Sequence, residues 1–522
     1  MRSWKSRKLF STVAVLVPLA LTACASNTLR VATHADLKSL DPVWTTAYIT
    51  RNHGYLVYDT LFALDENFDP QPQMVDTWTV SDDRKTWTFK LRDGLKWHDG
   101  TDVTADDAVA SLGRWGKRDG RGQQLFASIS ELKADDAKTI VMNFKVPYEG
   151  VPAVLGKLSS NVPFIMPKQV AQTDAFKPND NFIGSGPFMF NKDKWVPGSK
   201  VVYDRNPNYV ARAEPASLAA GSKEAQVDRI EWLYFADQTE AVKALVDGKV
   251  HYVESPPTKL VATLEENKRI SVGFTDPVGN VALARFNHQQ PPFDKPEIRR
   301  AVLMAMKQED YMTAAFGDHK FWRTCYSTFP CGTAFSDESG GEIMKVGDLD
   351  AARAALKAAG YDGTPVVILH PTDIPVLSAF TKVTVEKLRS IGMKVEVRDM
   401  DWATLTLKRN IRGSTAAGGW SMFHTWWIAA DVEDPTAIAF SGDPETGWFG
   451  WADDKELEGY RADFAKAPTL EEKEKLAAKV QERLWAIGAS GHLGQFFEPV
   501  AYRDNVKGIT SPVQFYWTVS VE

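Results

Sequence analysis

The stretch TWTFKLRDGLKWHDGTDVTADDAVASLGR, residues 86–114, combines two local patterns in immediate succession. Apolar residues alternate at Trp87, Phe89 and Leu91, and the run before the preceding Asp-Asp turn alternates in the same way, which predicts a β-hairpin. Thr104 is then followed three residues later by Asp107 and by a stripe of apolar residues, which predicts a capped helix. This stretch therefore predicts mixed α/β structure.

The same mixture of elements continues through the chain. From residue 366 to residue 400, a strand-like VVILH, a helical VLSAFTKVTVEKLRSIG and a strand-like KVEVRDM follow one another, which predicts a βαβ unit with parallel strands. With 522 residues, the chain is longer than one hydrophobic core usually supports, so two or three structural units are expected. We find no internal repeat and no long flexible linker. The units are therefore expected to be joined by chain crossings inside ordered structure.

Composition and motifs exclude several classes of protein. Hydrophobic residues make up 44% of the chain and charged residues 25%, proportions that are typical of a globular protein. The basic residues are scattered and the net charge is −6, which indicates no nucleic-acid partner. The chain has no P-loop, no G-x-S-x-G, no G-x-G-x-x-G after a strand and no H-E-x-x-H, so we expect no enzyme, no cofactor and no metal site. A hydrolase with two separated carboxylates remains an alternative, because 67 acidic residues offer many pairs.

The N-terminus has the pattern of an export signal over residues 1–25. Four basic residues precede an apolar stretch that is too short for a transmembrane helix and ends in small residues. Two kinds of processing fit. Ala23-Cys24-Ala25 matches ordinary cleavage before Ser26, whereas Leu21-Thr22-Ala23-Cys24 resembles a bacterial lipobox, which would leave Cys24 lipidated. The mature protein is therefore expected in the periplasm, either soluble or anchored through Cys24.

Two further cysteines predict a disulfide bond. Cys325 and Cys331 flank a short YSTFP segment, and an exported protein resides where such bonds persist. Two reduced, buried thiols are the alternative interpretation. A metal site would need further ligands, and no histidine or cysteine lies close enough in sequence to suggest them.

Five segments in one order resemble the extracellular solute-binding proteins of family 5, the dipeptide, oligopeptide and nickel class of bacterial ABC importers. The block at 86–114 resembles the most characteristic part of that family. SLDP (39–42) resembles its early loop, and IGSGPFMF (183–190) resembles its Gly-x-Gly-Pro-aromatic turn. RNPNY (205–209) resembles its Asn-Pro element, and FNHQQPPFDKPEIRRAVLMAM (286–306) resembles its Pro-Phe segment before a helix.

The resemblance implies an α/β fold of the periplasmic-binding-protein type II-like (Venus flytrap) class, in which two lobes close around a ligand by a hinge motion. On this sequence it places lobe I at residues 26–284 and 492–522, with an inserted subdomain at about 60–182, and lobe II at 285–491. It also implies a monomeric receptor that does no chemistry, binds a small solute and delivers it to ABC permease subunits in the inner membrane.

The segment GGWSMFHTWW, residues 418–427, carries the question of which solute is bound. In peptide-binding relatives, an aspartate three residues after a Gly-Trp motif fixes the α-amino group of the ligand. Here that position is Phe423, three residues after Trp420. Either a later acid supplies the charge from a displaced loop, or the ligand has no free amine. A peptide and a non-peptide solute, such as an opine-like conjugate, a glycoside or a metal chelate, therefore both remain open, as does a nickel or haem carrier.

Aromatic and acidic residues around this segment are the candidate ligand contacts. Aromatic rings suit apolar, planar or cationic groups of a ligand, and the acids suit an ammonium group. Packing in a core is the alternative role for each tryptophan, and a structural role is the alternative for the histidine. The candidates are Trp44, Trp420, Phe423, His424, Trp426, Trp427, Asp431, Asp434 and Trp448, with Glu433 as a further acid of the same loop.

Overall fold

Residues 27–274 and 276–522 are described by the computed structural model, and they form two lobes, each built on one large sheet. In the first-lobe sheet, the central strand Thr28–Thr33 pairs in parallel with both of its neighbours, while the outer strands pair antiparallel. The spatial order of its seven strands is Phe188–Phe190, Lys200–Arg205, Arg229–Tyr234, Thr28–Thr33, Tyr252–Val253, Pro499–Arg503 and Ile270–Phe274.

The second-lobe sheet has six strands and contains the predicted βαβ unit. Strands Val366–Pro371 and Val395–Met400 are parallel, and the helix Pro375–Ser390 connects them. This confirms the prediction from periodicity. The spatial order of the strands is Trp322–Arg323, Ser490–Phe496, Asn280–Phe286, Met422–Ile428, Val366–Pro371 and Val395–Met400.

Helices cover both sheets, and their ends follow local sequence signals. The helix Leu349–Ala358, for example, begins after Asp348, whose carboxylate accepts hydrogen bonds from two backbone N–H groups, and ends just before Gly360, whose φ of 68° suits glycine. That helix belongs to the second lobe, whereas the first lobe has helices Tyr48–Val57, Gln238–Val246 and Val261–Glu265. The remaining helices of the second lobe are Pro296–Ala305, Gln308–Phe316, Trp402–Lys408, Lys455–Lys466 and Leu470–Ile487.

A separate antiparallel sheet forms within the segment predicted as an inserted subdomain. Its strands, in spatial order, are Val75–Val80, Thr86–Leu91, Thr139–Phe144 and Ile129–Ala134. The predicted capping box is present, since the backbone N–H of Thr104 donates to Asp107 at 2.8 Å where the helix Ala105–Trp115 begins. The other short elements are helices Gly120–Ser128, Val151–Leu155 and Lys168–Ala171 and strand pairs Asp59–Thr60 with Phe164–Ile165, Phe62–Leu64 with Pro70–Pro72, and Val506–Lys507 with Ser520–Val521.

The chain passes between the two large sheets twice, between Phe274 and Asn280 and between Phe496 and Pro499. The predicted lobe boundaries, at residues 284/285 and 491/492, both lie inside strands of the second-lobe sheet. The physical reason is burial: every residue of Asn280–Phe286 and of Ser490–Phe496 is buried, and these two strands pair with each other. Each therefore belongs to the second sheet over its whole length.

Cys325 and Cys331 form the predicted disulfide bond, with their Cα atoms 5.8 Å apart. The predicted export signal and Cys24 lie outside the described residues. Across residues 27–274 and 276–522, no helix combines the length and the apolar character needed to cross a bilayer.

Candidate functional site

Three small chambers lie side by side where the two lobes face each other. The Arg409 chamber has a volume of about 20 Å³ and is lined by His34, Thr46, Tyr48, Trp402, Arg409, Thr425, Trp426, Trp427 and Trp448. The hinge chamber, of about 70 Å³, is lined by His34, Tyr48, Arg51, Asn52, Tyr252, Glu254, Ser255, Asn280, Trp426, Ile428, Glu498, Pro512, Val513 and Gln514. The Asp431 chamber, of about 20 Å³, is lined by Asp119, Arg121, Lys157, Ser160, Trp427, Ala430, Asp431, Ala437 and Ile438.

Shared side chains join these chambers into one cleft. Trp426 lines both the Arg409 chamber and the hinge chamber, and Trp427 lines both the Arg409 chamber and the Asp431 chamber. Both tryptophans end the second-lobe strand Met422–Ile428. From the first lobe, His34 and Tyr48 face Trp426 across the cleft. A solute in this cleft would therefore contact both lobes.

Polar contacts between the lobes hold the cleft closed. At one rim, Lys38 pairs with Asp401 at 2.7 Å. At another, Arg121 pairs with Glu433 at 3.0 Å and with Asp434 at 2.9 Å. These groups are partly exposed, and such ion pairs contribute little individually. The described conformation is thus a closed one whose rim contacts are weak enough to open.

Arg409 is a buried cation without a carboxylate partner in the described part of the chain. Its side chain is among the largest that are fully buried, one Nη donates to Thr46 Oγ1 at 3.1 Å, and its Nε has no hydrogen-bond partner there. Burial, with Arg118 nearby, lowers its pKa to about 9. Four aromatic rings surround the guanidinium, with the centroid of Phe449 at 4.5 Å. An anion in the chamber would satisfy this group.

Asp431 is the opposite case, a carboxylate held by neutral donors. It accepts hydrogen bonds from the Tyr48 hydroxyl at 2.8 Å and from Ser159 Oγ at 3.1 Å. Desolvation raises its pKa to about 6, although Lys157 and Arg51 nearby favour the charged form. A cation bound beside Asp431 would stabilise the carboxylate further.

A histidine and two glutamates lie at the hinge end of the cleft. Burial lowers the pKa of His34, but the carboxylate of Glu254, 2.5 Å from its Nδ1, more than offsets this and raises it. The Tyr516 hydroxyl also donates to Glu254 at 2.5 Å. Glu498 accepts a hydrogen bond from Ser255 at 2.7 Å, and desolvation raises its pKa.

The structure separates the residues predicted from sequence into three groups. Trp426, Trp427, Asp431 and Trp448 line the chambers. Asp434 and Glu433 form the rim pair with Arg121 instead. The others line none of the three chambers: Trp420, Phe423, His424 and Trp44.

Packing explains why these four residues lie elsewhere. Phe423 packs edge-on against Trp420, whose ring centroid is 5.0 Å away. His424 accepts or donates hydrogen bonds with Thr381 and Thr384 on the helix behind the sheet, and burial lowers its pKa to about 3. The Trp44 indole donates to the Phe176 carbonyl at 3.2 Å. The cleft is lined by the C-terminal end of the buried strand Met422–Ile428, from Thr425 to Ile428, whereas Phe423 and His424 lie nearer its start.

Several cleft residues were not predicted from sequence. His34, Arg51, Glu254 and Glu498 are isolated along the chain, and only folding brings them together. Arg409 follows an amphipathic helix, where an arginine is ordinarily solvated. Within the residues that the structure describes, no group of three or more histidine, cysteine, aspartate or glutamate side chains is arranged to hold a metal ion.

Comparisons with known proteins agree with this architecture. The family model of bacterial extracellular solute-binding proteins, family 5 Middle, matches residues 69–447. A probable peptide ABC transporter periplasmic-binding protein of Sinorhizobium fredii is 37% identical over 506 residues, which cover 95% of this chain and 94% of the relative.

Solved structures show the same fold. The periplasmic binding protein AgaA from A. tumefaciens R10, in complex with agropinic acid, has a TM-score of 0.78 at 21% identity, covering 95% of this chain and 99% of its own. DppA from Helicobacter pylori, in complex with the peptide STSA, has a TM-score of 0.77 at 22% identity, covering 95% and 98%.

Proposed function

Because the chain belongs to the family 5 bacterial extracellular solute-binding proteins, we propose that its cleft captures a short peptide or peptide-like solute and delivers it to an ABC permease. The observation that carries this proposal is the pair of unmatched charges in adjoining chambers, Arg409 and Asp431. A peptide has an ammonium group at one end and a carboxylate at the other. Both protein groups lie on the second lobe, one on each side of Trp427.

The ammonium group is assigned to Asp431. Among the described residues, its donors are two hydroxyl groups, which are neutral, so an ammonium would supply the charge-assisted hydrogen bond that the carboxylate lacks. Tyr48 and Ser159 belong to the first lobe, so they hold Asp431 only when the cleft is closed. The acid expected at Phe423 is thus supplied by a position eight residues further along the chain.

The ligand carboxylate is assigned to Arg409. Guanidinium groups bind carboxylates through two parallel hydrogen bonds, and the enclosed Nε of Arg409 has no hydrogen-bond partner among the described residues. The surrounding rings of Trp402, Trp448 and Phe449 exclude water from this end of the cleft. Exclusion of water strengthens the ion pair.

Transport follows from the hinge. A solute that contacts both lobes stabilises the closed form over the open one, and moving that equilibrium from 1:99 to 99:1 takes about 5.5 kcal/mol of differential binding. The permease would recognise the closed form. The protein is proposed to act in the periplasm, as a monomer, and to leave the solute chemically unchanged. Lipid anchoring through Cys24 remains a proposal from sequence.

The test is native mass spectrometry of freshly purified protein, followed by calorimetric titration with the molecule released. We expect a zwitterionic solute of peptide size, recovered intact after prolonged incubation with the protein. An opine-like conjugate would retain the charge assignment but replace the peptide, and a glycoside without a charge would contradict it. A hydrolase would return cleaved products.

Binding is also expected to depend on pH. The pKa of Asp431 is raised to about 6 in the ligand-free cleft, and an ammonium must find the carboxylate ionised. Affinity for a free peptide should therefore be constant well above pH 6 and fall progressively as the pH drops through 6, approaching tenfold per pH unit at lower pH. Titration between pH 4.5 and pH 8 checks this. An N-acetylated peptide is the control, and an equal fall for that peptide would contradict the role of Asp431.

A further inference from the structure

The hinge chamber contains a carboxylate, that of Glu498, which takes no part in the ligand contacts assigned to Arg409 and Asp431. Glu498 lies in the crossing between Phe496 and Pro499, and its one hydrogen bond in the described part of the chain comes from the Ser255 hydroxyl at 2.7 Å. No lysine, arginine or histidine of residues 27–274 and 276–522 forms an ion pair with it. Desolvation raises its pKa, although the hydrogen bond from Ser255 and the nearby His34 favour the charged form.

Asn280 provides a second unsatisfied group in the same chamber. Asn280 is only 3% exposed, and its backbone pairs with Ile428 on one neighbouring strand and with Phe496 on the other. Its side-chain amide has no hydrogen bond to any other described residue, yet it lines the chamber. Because the amide borders the open volume of the chamber, its hydrogen-bonding groups are available to a polar occupant.

The cations that also line the hinge chamber already have partners. His34 is bound to Glu254, and Arg51 donates to Asn52 and to Ser159 while stacking on the Tyr48 ring at 4.5 Å. Neither forms an ion pair with Glu498. The carboxylate of Glu498 is therefore available to a ligand.

We propose that the hinge chamber binds a cationic side-chain group of the ligand, an ammonium or a guanidinium, through the carboxylate of Glu498 and the amide oxygen of Asn280. This inference rests on the proposed function, because it requires a peptide-like ligand to occupy the adjoining chambers. The chamber of about 70 Å³ has room for such a group. Trp426, which it shares with the Arg409 chamber, offers an aromatic wall to the cation.

Lysine and norleucine test this subsite, because their side chains share a four-carbon stem and differ in charge. The probes are two matched pairs of dipeptides, Lys-Ala with Nle-Ala and Ala-Lys with Ala-Nle, titrated calorimetrically at pH 7.5 into the mature protein. We expect one lysine peptide to bind at least about tenfold more tightly than its norleucine counterpart. The substitution Glu498→Gln should remove this preference and leave norleucine affinity within about threefold.

The control variant is Asp36→Asn, a buried acid of the same lobe that accepts from the Gly198 N–H and lines none of the three chambers. It should keep the lysine preference. Equal binding within both pairs, or a preference that survives Glu498→Gln, would overturn the inference while leaving the proposed function intact. If none of the four peptides binds the wild-type protein, the inference fails, whereas the proposed function is decided separately by the molecule that native mass spectrometry identifies.

Discussion

Replacing Arg409 with methionine should lower the affinity for a free dipeptide by about a hundredfold or more and raise the melting temperature of the ligand-free protein. The first effect follows because the substitution removes the charged partner of a buried carboxylate. The second follows because Arg409 is buried without an acid, as its pKa of about 9 reflects. An apolar side chain of similar volume removes that desolvation cost. Titration calorimetry and thermal melts measure the two effects.

Arg412 offers the matched control for this substitution. It lies three residues further along the same segment, donates to the Pro444 and Glu445 carbonyls, and lines none of the three chambers. Arg412→Met should leave peptide affinity within about threefold. A loss of affinity together with a rise in melting temperature for Arg409→Met would show that Arg409 binds the ligand and does not stabilise the fold. A variant that melts earlier and binds normally would contradict the assignment.

Replacing Asp431 with asparagine should also weaken the binding of free peptides by about a hundredfold. Asparagine keeps the shape and can still accept hydrogen bonds from Tyr48 and Ser159, so the fold and the closed form are retained. What is lost is the charge that stabilises the ligand ammonium. Titration with one peptide and its N-acetyl derivative measures this effect, and the acetylated peptide should bind the variant and the wild type alike.

Glu433→Gln is the control for Asp431→Asn, because Glu433 is a nearby acid that pairs with Arg121 at the rim. We expect it to change affinity by less than about threefold, since exposed ion pairs contribute little. A loss as large as that of Asp431→Asn would show that general electrostatics, rather than a contact with the amine, controls binding.

Local patterns predicted the parts of the fold that neighbouring residues determine. The Thr104 and Asp107 capping box, the βαβ unit and the Cys325–Cys331 bond each depend on residues close together in sequence. The lobe boundaries were harder to place. A fully buried strand next to a crossing has the same sequence pattern whether it joins the sheet of the first lobe or that of the second. Only strand pairing decides to which sheet they belong.

The candidate site was predicted in part, for a reason visible at Phe423 and Trp426. Both are aromatic residues of one buried strand, yet Trp426 lines the cleft and Phe423 packs beneath it. Composition cannot separate them, because the residues that line the cleft are the C-terminal end of the strand, and the sequence does not show which end of the strand reaches the cleft. Phe423 therefore does not indicate a ligand without an amine. Asp431 was included among the candidates because a displaced loop was considered.

Groups such as Glu254 and Glu498 could not have been found from the sequence. They are far apart along the chain and meet only because the Tyr252–Val253 strand pairs with Pro499–Arg503 in the first-lobe sheet. Arg409 has a local signal, its position at the end of the Trp402–Lys408 helix, but that signal ordinarily indicates a solvated cation that favours the helix C-terminus. Its burial depends on the aromatic residues of a later segment.

The central claim is that the cleft recognises both ends of a zwitterion, and one set of calorimetric titrations tests it most directly. A dipeptide that binds the wild-type protein, its N-acetyl form and its C-amide form are each titrated into wild type, Asp431→Asn and Arg409→Met. We predict that acetylation of the amine weakens binding to wild type and to Arg409→Met but leaves binding to Asp431→Asn unchanged. Amidation of the carboxylate should weaken binding to wild type and to Asp431→Asn but leave binding to Arg409→Met unchanged. Equal losses for every protein would contradict the claim.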